Sequence, residues 1–204
     1  MKPKNLCFLF LFFVSTITKA GFLLLPMDET SQQNHLKAYG ITYWCLDKNY
    51  KASWLLNYRG GSFLLPDAPE IRKECQIRGV SFEVVSDSEE AELLNLIASP
   101  SQNMESVLLE KAPKIAVYTP KGKQPWDDAV TLVLTYAEIP FTAVYDEEVL
   151  SDQLLLYDWL HLHHEDFTGQ YGKFYGTYKN TPWYIEQKKE AELLAKKLGL
   201  AKVP

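Results

Sequence analysis

The chain has 204 residues, with 21 Lys and Arg against 26 Asp and Glu, which gives a formal net charge of −5. This length suits one domain or two small halves that share a core. An acidic chain without a basic stripe argues against nucleic acid and against anionic membrane surfaces as partners.

The first twenty residues have the pattern of a secretory signal peptide. Two lysines precede an apolar run, LCFLFLFFV, and Thr18 and Ala20 occupy the small-residue positions before a cleavage site. The run is shorter than the roughly 20 residues that a membrane-spanning helix needs, which favours cleavage over an N-terminal anchor. We therefore predict a periplasmic or secreted protein that begins at Gly21, after cleavage near Ala20, without stable membrane insertion. Cleavage would remove three lysines and make the formal net charge −8.

Two cysteines remain in the mature chain, Cys45 and Cys75. An oxidising compartment would allow them to pair. However, both fall on predicted helices at positions expected to be buried, so a disulfide is the less favoured alternative. No CxxC motif or Cys/His zinc spacing is present, and the sequence predicts neither a metal nor a cofactor.

Apolar runs alternate with helical patterns along the chain. The predicted strands are FLLLP (22–26), SWLLNY (53–58), VSFEVVS (80–86), KIAVYTP (114–120), FTAVYD (141–146) and YDWLHLHH (157–164). Predicted helices separate them, and Gly79 and Gly199 supply C-terminal stops for two of these helices. Strands separated by helices favour parallel pairing through right-handed crossovers. The sequence therefore predicts an α/β fold with a doubly wound, mostly parallel sheet.

A polar stretch around residues 100–112 divides the chain. We predict a signal peptide at 1–20, a first α/β half at 21–100 and a second α/β half at 113–204. The last predicted helix is followed by LGLAKVP, which offers no strand for that helix to return to. We therefore expect the fold to be incomplete at the C-terminus and the remainder of a longer chain to be a partner.

Ligands of open α/β sheets bind beyond the carboxyl ends of the strands. The segment HHED follows the last predicted strand, and imidazole and carboxylate groups together can act as an acid–base pair. We predict catalytic roles for His163, His164 and Glu165. A structural network and a metal site are the alternatives, although the spacing matches no metal motif. His161 lies inside the apolar run and is predicted to be buried and neutral.

Other strand ends carry groups suited to binding. Arg59 can hold a carboxylate or phosphate, and two following glycines permit positive φ and close backbone approach. A tight turn that leads into SFLLP as a hairpin is the structural alternative. A Gly/Tyr-rich loop after HHED is either a flap or a packed connection. The predicted ligand-binding residues are Asp28, Arg59, Gly60, Gly61, Asp166, Tyr171 and Lys173.

Four blocks of the sequence carry a family resemblance: LLPMDETSQQNHLKAYGITYW, WLLNYRGGSF, KQPWDDAVTLVLTYAEIPF and YDWLHLHHEDFTGQYGKF. They resemble a family of exported bacterial proteins, of the Bacteroidetes type, that is catalogued as asparagine synthetase B. The second half, from Lys114 onward, resembles the start of a class I glutamine amidotransferase-like fold, whose nucleophile elbow would follow the end of this chain. The family label implies an asparagine synthase (glutamine-hydrolysing). Those enzymes use an N-terminal cysteine, whereas position 2 here is Lys2, and none of their catalytic residues maps onto this chain.

Residues and resemblance together favour an exported α/β domain that binds a small polar molecule at the carboxyl ends of its strands. An amide, an amino acid or a sugar would fit this description. One alternative is a hydrolase or glutamine amidotransferase that uses the HHED segment or a nucleophile beyond residue 204. The other alternative is a structural protein of the cell envelope.

Overall fold

A computed structural model of the chain describes residues 21–119, 129–162 and 176–200. The first half contains β1 (Gly21–Leu25), α1 (His35–Asp47), β2 (Ala52–Leu56), β3 (Ser62–Pro66), α2 (Pro69–Arg78), β4 (Glu83–Ser86), α3 (Asp87–Ile97) and β5 (Glu105–Leu109). The second half contains β6 (Ile115–Tyr118), α4 (Ala129–Ala137), β7 (Thr142–Val144), α5 (Asp146–Leu150), a 3-10 helix (Gln153–Leu156), β8 (Trp159–Leu162) and α6 (Pro182–Lys197).

The first half is built on a five-stranded sheet, sheet A, of order β4-β1-β3-β2-β5. Every neighbouring pair in it is antiparallel. β1 and β2 run in the same direction through α1, but β3 returns between them, and β1 in turn separates β3 from β4. Two interleaved β-α-β units of this kind form the split arrangement of ferredoxin-like folds. The α/β class is thus confirmed, whereas the predicted mostly parallel sheet is not found in this half.

The turn between β2 and β3 accounts for the difference. Asn57, Arg59, Gly60 and Gly61 have φ angles of 59°, 44°, 79° and 90°, all in the left-handed region. Glycine adopts this region freely, and asparagine does so more readily than most other residues. The resulting reversal returns the chain beside β2, so the hairpin alternative for the SFLLP segment is confirmed.

Both faces of sheet A are covered by helices. Alternate strand residues point to opposite faces, and one set packs under α1 and α2: Leu23, Leu25, Phe63 and Leu65. The other set packs against Ile97 of α3: Leu24, Leu55, Leu64 and Val85. Burial on both faces requires the continuous apolar strands that are typical of parallel sheets. The composition of these strands therefore indicated parallel pairing although the pairing is antiparallel.

β5 lies in the stretch that was predicted to be a polar link. It pairs with β2 at one edge of sheet A and is largely exposed, with Leu108 at 55% of its full accessible surface. An edge strand buries too little of either face to require an apolar run.

The second half is built on a three-stranded parallel sheet, sheet B, of order β7-β6-β8. Parallel pairing is confirmed here. β6 comes first in the chain and takes the central position, with β7 on one side and β8 on the other. Ile115 and Val117 of β6 are buried against Leu134 of α4, and Tyr43 of α1 packs against this cluster.

α1 joins the two halves. The Tyr43 hydroxyl donates to the carbonyl of Pro113, just before β6, at 2.9 Å. Lys37 Nζ donates to Glu138 Oε1, just after α4, at 2.5 Å. Pro113 and Glu138 both lie at the amino edge of sheet B, where β6 and β7 begin. α1 therefore attaches sheet A to that edge.

The two cysteines are buried free thiols in the core under α1 and α2. Burial raises the pKa of Cys45 to about 12 and that of Cys75 to about 11. Among the helices within residues 21–119, 129–162 and 176–200, none combines the length and the apolar character that crossing a membrane requires. The predicted signal segment 1–20 lies outside the described residues.

Candidate functional site

Two of the predicted ligand-binding residues meet at the end of sheet A where α1 begins. Arg59 Nε donates to Asp28 Oδ2 at 3.0 Å, and Nη2 donates to Ser31 Oγ at 3.0 Å. Nη1 and Nη2 also donate to the two carboxylate oxygens of Glu83, each at 2.9 Å. We call Asp28, Ser31, Arg59 and Glu83 the Arg59 cluster. Its guanidinium group is held by three side chains of the protein itself.

Electrostatics in the Arg59 cluster favour the charged forms of Asp28 and Arg59. Hydrogen bonds from Ser31 and Thr30, together with Arg59, hold the pKa of Asp28 well below its usual value. Hydrogen bonding and charge from Glu83, and then from Asp28, raise the pKa of Arg59. Sequence reasoning missed Glu83, although an acid within the apolar run VSFEVVS was a signal that a cation lies nearby.

The glycines after Arg59 bring the turn against the protein's own backbone. Met27 N donates to the carbonyl of Arg59 at 3.1 Å, and Trp54 Nε1 donates to the carbonyl of Gly61 at 3.1 Å. A Cβ at Gly60 would lie 2.4 Å from the Met27 carbonyl oxygen. The predicted close approach of the backbone is present, and the turn approaches the loop after β1.

A second polar arrangement lies at the carboxyl edge of sheet B. Tyr118 ends β6, and its hydroxyl donates to Oδ1 of Asp146, which follows β7, at 2.5 Å. The rings of Tyr118 and Tyr145 lie 5.2 Å apart with planes tilted by 32°. Thr119 N donates to the carbonyl of Val144 at 2.9 Å, so main-chain pairing continues to this edge. The predicted strand FTAVYD ends at Asp146, but neither Asp146 nor Tyr118 was among the predicted site residues.

The three acids after β7 differ in their partners. Glu147 Oε1 accepts from Lys197 Nζ at 2.5 Å, and Glu148 Oε2 accepts from the Tyr145 backbone N–H at 3.0 Å. Asp146 accepts from Tyr118, and within residues 21–119, 129–162 and 176–200 no basic side chain forms an ion pair with it. Its charge is therefore not balanced by a described neighbour.

The predicted catalytic segment continues from this edge. β8 ends at Leu162, which pairs in register with Tyr118. His163, His164 and Glu165 come directly next in the sequence, and they lie outside the described residues, as do Asp166, Tyr171 and Lys173.

His161 differs from its predicted environment. It is half-buried, and its ring lies edge-on to Trp159, with ring centres 6.4 Å apart. Trp159 is itself 47% exposed, so this edge strand is only partly covered. Within the described parts of the chain, no group of three or more His, Cys, Asp or Glu side chains could hold a metal ion.

The two polar arrangements belong to different edges. The Arg59 cluster lies where α1 begins, and α1 meets the second half at the amino edge of sheet B. Tyr118 and Asp146 lie at the carboxyl edge of that sheet. Strand ends converge on one edge only when the strands run in the same direction. The expectation of a common edge therefore holds for sheet B, but in sheet A only for β1 and β2, whose ends bring Asp28 and Arg59 together.

Fold and site together define a mixed α/β protein with a ferredoxin-like antiparallel sheet and a parallel sheet with a polar carboxyl edge. No protein-family model, curated protein or solved structure matches the chain.

Proposed function

We propose that this chain is an exported α/β protein that binds a small polar molecule at the carboxyl edge of sheet B. The observation that carries the proposal is the strand order β7-β6-β8. The chain passes from the central strand to one side and then crosses to the other. In doubly wound sheets such a reversal opens a crevice beyond the strand ends, and ligands bind there.

Side chains at this reversal support the proposal. Tyr118 and Asp146 join the ends of β6 and β7 through one hydrogen bond. Thr119, the first residue beyond β6, is 7% exposed and polar. Ligand sites usually combine aromatic walls with a few fixed polar groups. The Arg59 cluster supports a binding role less well, since its guanidinium group already has internal partners.

Ligand-induced shifts in the NMR spectrum of the 15N-labelled full chain test the proposal. L-asparagine, L-glutamine and D-glucose serve as probes of the amide, amino acid and sugar classes. We expect at least one of them to shift the amide signals of Thr119, Asp146 and Leu162. Shifts confined to Asp28, Ser31 and Arg59 would move the site to sheet A. No shift with any probe would favour the structural role in the envelope.

A hydrolase or glutamine amidotransferase is the second candidate. It is favoured by the register that ends β8 beside β6, because His163, His164 and Glu165 follow β8 directly in the sequence. In this proposal one histidine acts as a general base and Glu165 orients it. The amidotransferase-like fold and the asparagine synthetase B label belong to the same proposal.

Ammonia release from L-glutamine distinguishes catalysis from binding. We expect activity in the unaltered chain and its loss in His163→Ala and His164→Ala, with Asp152→Asn as a control in an exposed turn. Activity that survives both histidine substitutions would exclude this mechanism.

Export is tested separately, by determining the N-terminus of the secreted protein. That protein should begin at Gly21, and a retained Met1 would contradict export.

A further inference from the structure

We infer that the carboxyl edge of sheet B recognises a small primary amine in its protonated form, and that Asp146 selects it. This inference rests on the proposed function, because it names the ligand class of the same site.

The carboxylate of Asp146 is the first observation. Of the acids in the first turn of α5, Glu147 is paired with Lys197, and Glu148 accepts from the backbone of Tyr145. Asp146 accepts a single hydrogen bond, from Tyr118, among the described residues. An ionised carboxylate can accept about four hydrogen bonds. Asp146 therefore retains the capacity to accept from an incoming donor.

The two tyrosine rings are the second observation. Tyr118 and Tyr145 stand with their ring centres 5.2 Å apart beside this carboxylate. The faces of aromatic rings carry negative partial charge, which attracts cations and repels anions. Since carboxylate and rings have the same electrostatic preference, the described part of the edge favours a cation over a neutral group and a neutral group over an anion.

Tyr118 has a positioning role in this arrangement. Its hydrogen bond of 2.5 Å holds Oδ1 of Asp146, and no hydrogen bond from a described residue to Oδ2 is formed. A charge-assisted hydrogen bond between an ammonium and a carboxylate contributes more than a neutral one. The selectivity between an amine and an alcohol thus measures the contribution of Asp146 directly.

Three probes with one carbon skeleton test the inference: ethanolamine, ethylene glycol and glycolate. They share a hydroxymethyl group and carry a positive, a neutral and a negative second group. In NMR titrations of the 15N-labelled full chain, we expect ethanolamine to shift the amide signals of Tyr118, Tyr145 and Asp146. Its dissociation constant should be about tenfold lower than that of ethylene glycol, with glycolate the weakest.

Variants assign the preference to a residue. Asp146→Asn should abolish the advantage of ethanolamine over ethylene glycol, and Tyr118→Phe should reduce it. Asp152→Asn removes another carboxylate, an exposed one six positions further along the chain, and should leave the advantage intact. A general attraction of cations to an acidic protein would be reduced equally by Asp146→Asn and Asp152→Asn, and this outcome overturns the inference.

The remaining outcomes separate the inference from the proposed function. Equal or stronger shifts of the same signals by ethylene glycol or glycolate overturn the amine class while the site at this edge stands. If none of the three probes shifts these signals, the amine class is also overturned. The proposed function is then decided by L-asparagine, L-glutamine and D-glucose.

Discussion

Gly40 of α1 packs against the main chain of Ala137 of α4 so closely that a Cβ on Gly40 would lie 1.8 Å from the Ala137 carbonyl oxygen. This contact brings together the helix that covers sheet A and the helix that covers sheet B. The absence of a side chain at one helical position therefore sets how near the two halves approach.

Gly40→Ala tests that contact through the free energy of unfolding. Helix propensity alone would stabilise the variant by about 1 kcal/mol. The clash with backbone cannot be relieved by rotating a side chain, and we expect net destabilisation of about 1–3 kcal/mol. Urea unfolding measures the difference. Gly176 is also helical, and a Cβ there meets nothing within 4 Å, so Gly176→Ala should show only the propensity gain of up to about 1 kcal/mol. A stabilised Gly40→Ala variant would show that the helices are not in contact here.

Gly60→Ala tests the turn that makes sheet A antiparallel. A positive φ costs a non-glycine residue about 1 kcal/mol, and this cost applies equally to Gly60 (φ 79°) and Gly199 (φ 71°). Only Gly60 would also clash, with the Met27 carbonyl oxygen at 2.4 Å. Gly60→Ala should therefore destabilise the protein clearly more than Gly199→Ala does, as measured by thermal unfolding. Equal effects would mean that the loop after β1 does not pack on this turn.

Asp28 should make stability depend on pH in the acid range. Its pKa is lower in the folded chain than the ordinary value of 3.8, so protonation disfavours the folded state. The stabilisation from Asp28 is fully present above the ordinary value and is lost as the pH falls through the folded value.

Asp28→Asn provides the comparison for this pH effect. The variant should be less stable than the unaltered chain near pH 6, and the gap should narrow below about pH 4. Urea midpoints measured from pH 2 to pH 7 report the gap. A gap that widens at low pH would contradict the direction of the shift.

Cys45 and Cys75 should be unreactive in the folded protein. The thiolate is the reactive species, and burial raises both pKa values, to about 12 and about 11. The chain is treated with iodoacetamide at about pH 8 and analysed by mass spectrometry. We expect neither cysteine to be modified in the native chain and both to be modified in about 8 M urea. If both cysteines stay unmodified in urea without a reductant, they are joined in a disulfide.

Much of the local structure could be predicted because its causes are local. Gly79 adopts φ 66° at the end of α2, as a C-terminal stop requires. Pro182 opens α6 at its first turn. Both effects arise from the backbone preferences of single residues. The parallel strands of the second half followed from helix-length connections, which leave few other ways to bury apolar strands.

The candidate site was predictable only in part. The predicted strand FTAVYD ends at Asp146, which does follow β7 at the carboxyl edge of sheet B, although Asp146 was not selected as a site residue. The pairing of Asp146 with Tyr118 depends on which strands are neighbours. The hydrogen bonds from Arg59 to Glu83 likewise depend on strand order, because β4 reaches that end of the sheet only by pairing with β1.

By itself, the sequence determined the α/β class, the positions of most helices and strands, and the burial of both cysteines. Hydrophobic periodicity and turn residues encode these features over a few neighbouring positions. Only the tertiary structure decided that β3 inserts between β1 and β2, and that the polar ends of the two sheets lie at different edges. Strand order depends on contacts between residues far apart in the chain, and apolar strands covered on both faces have the same composition in either direction.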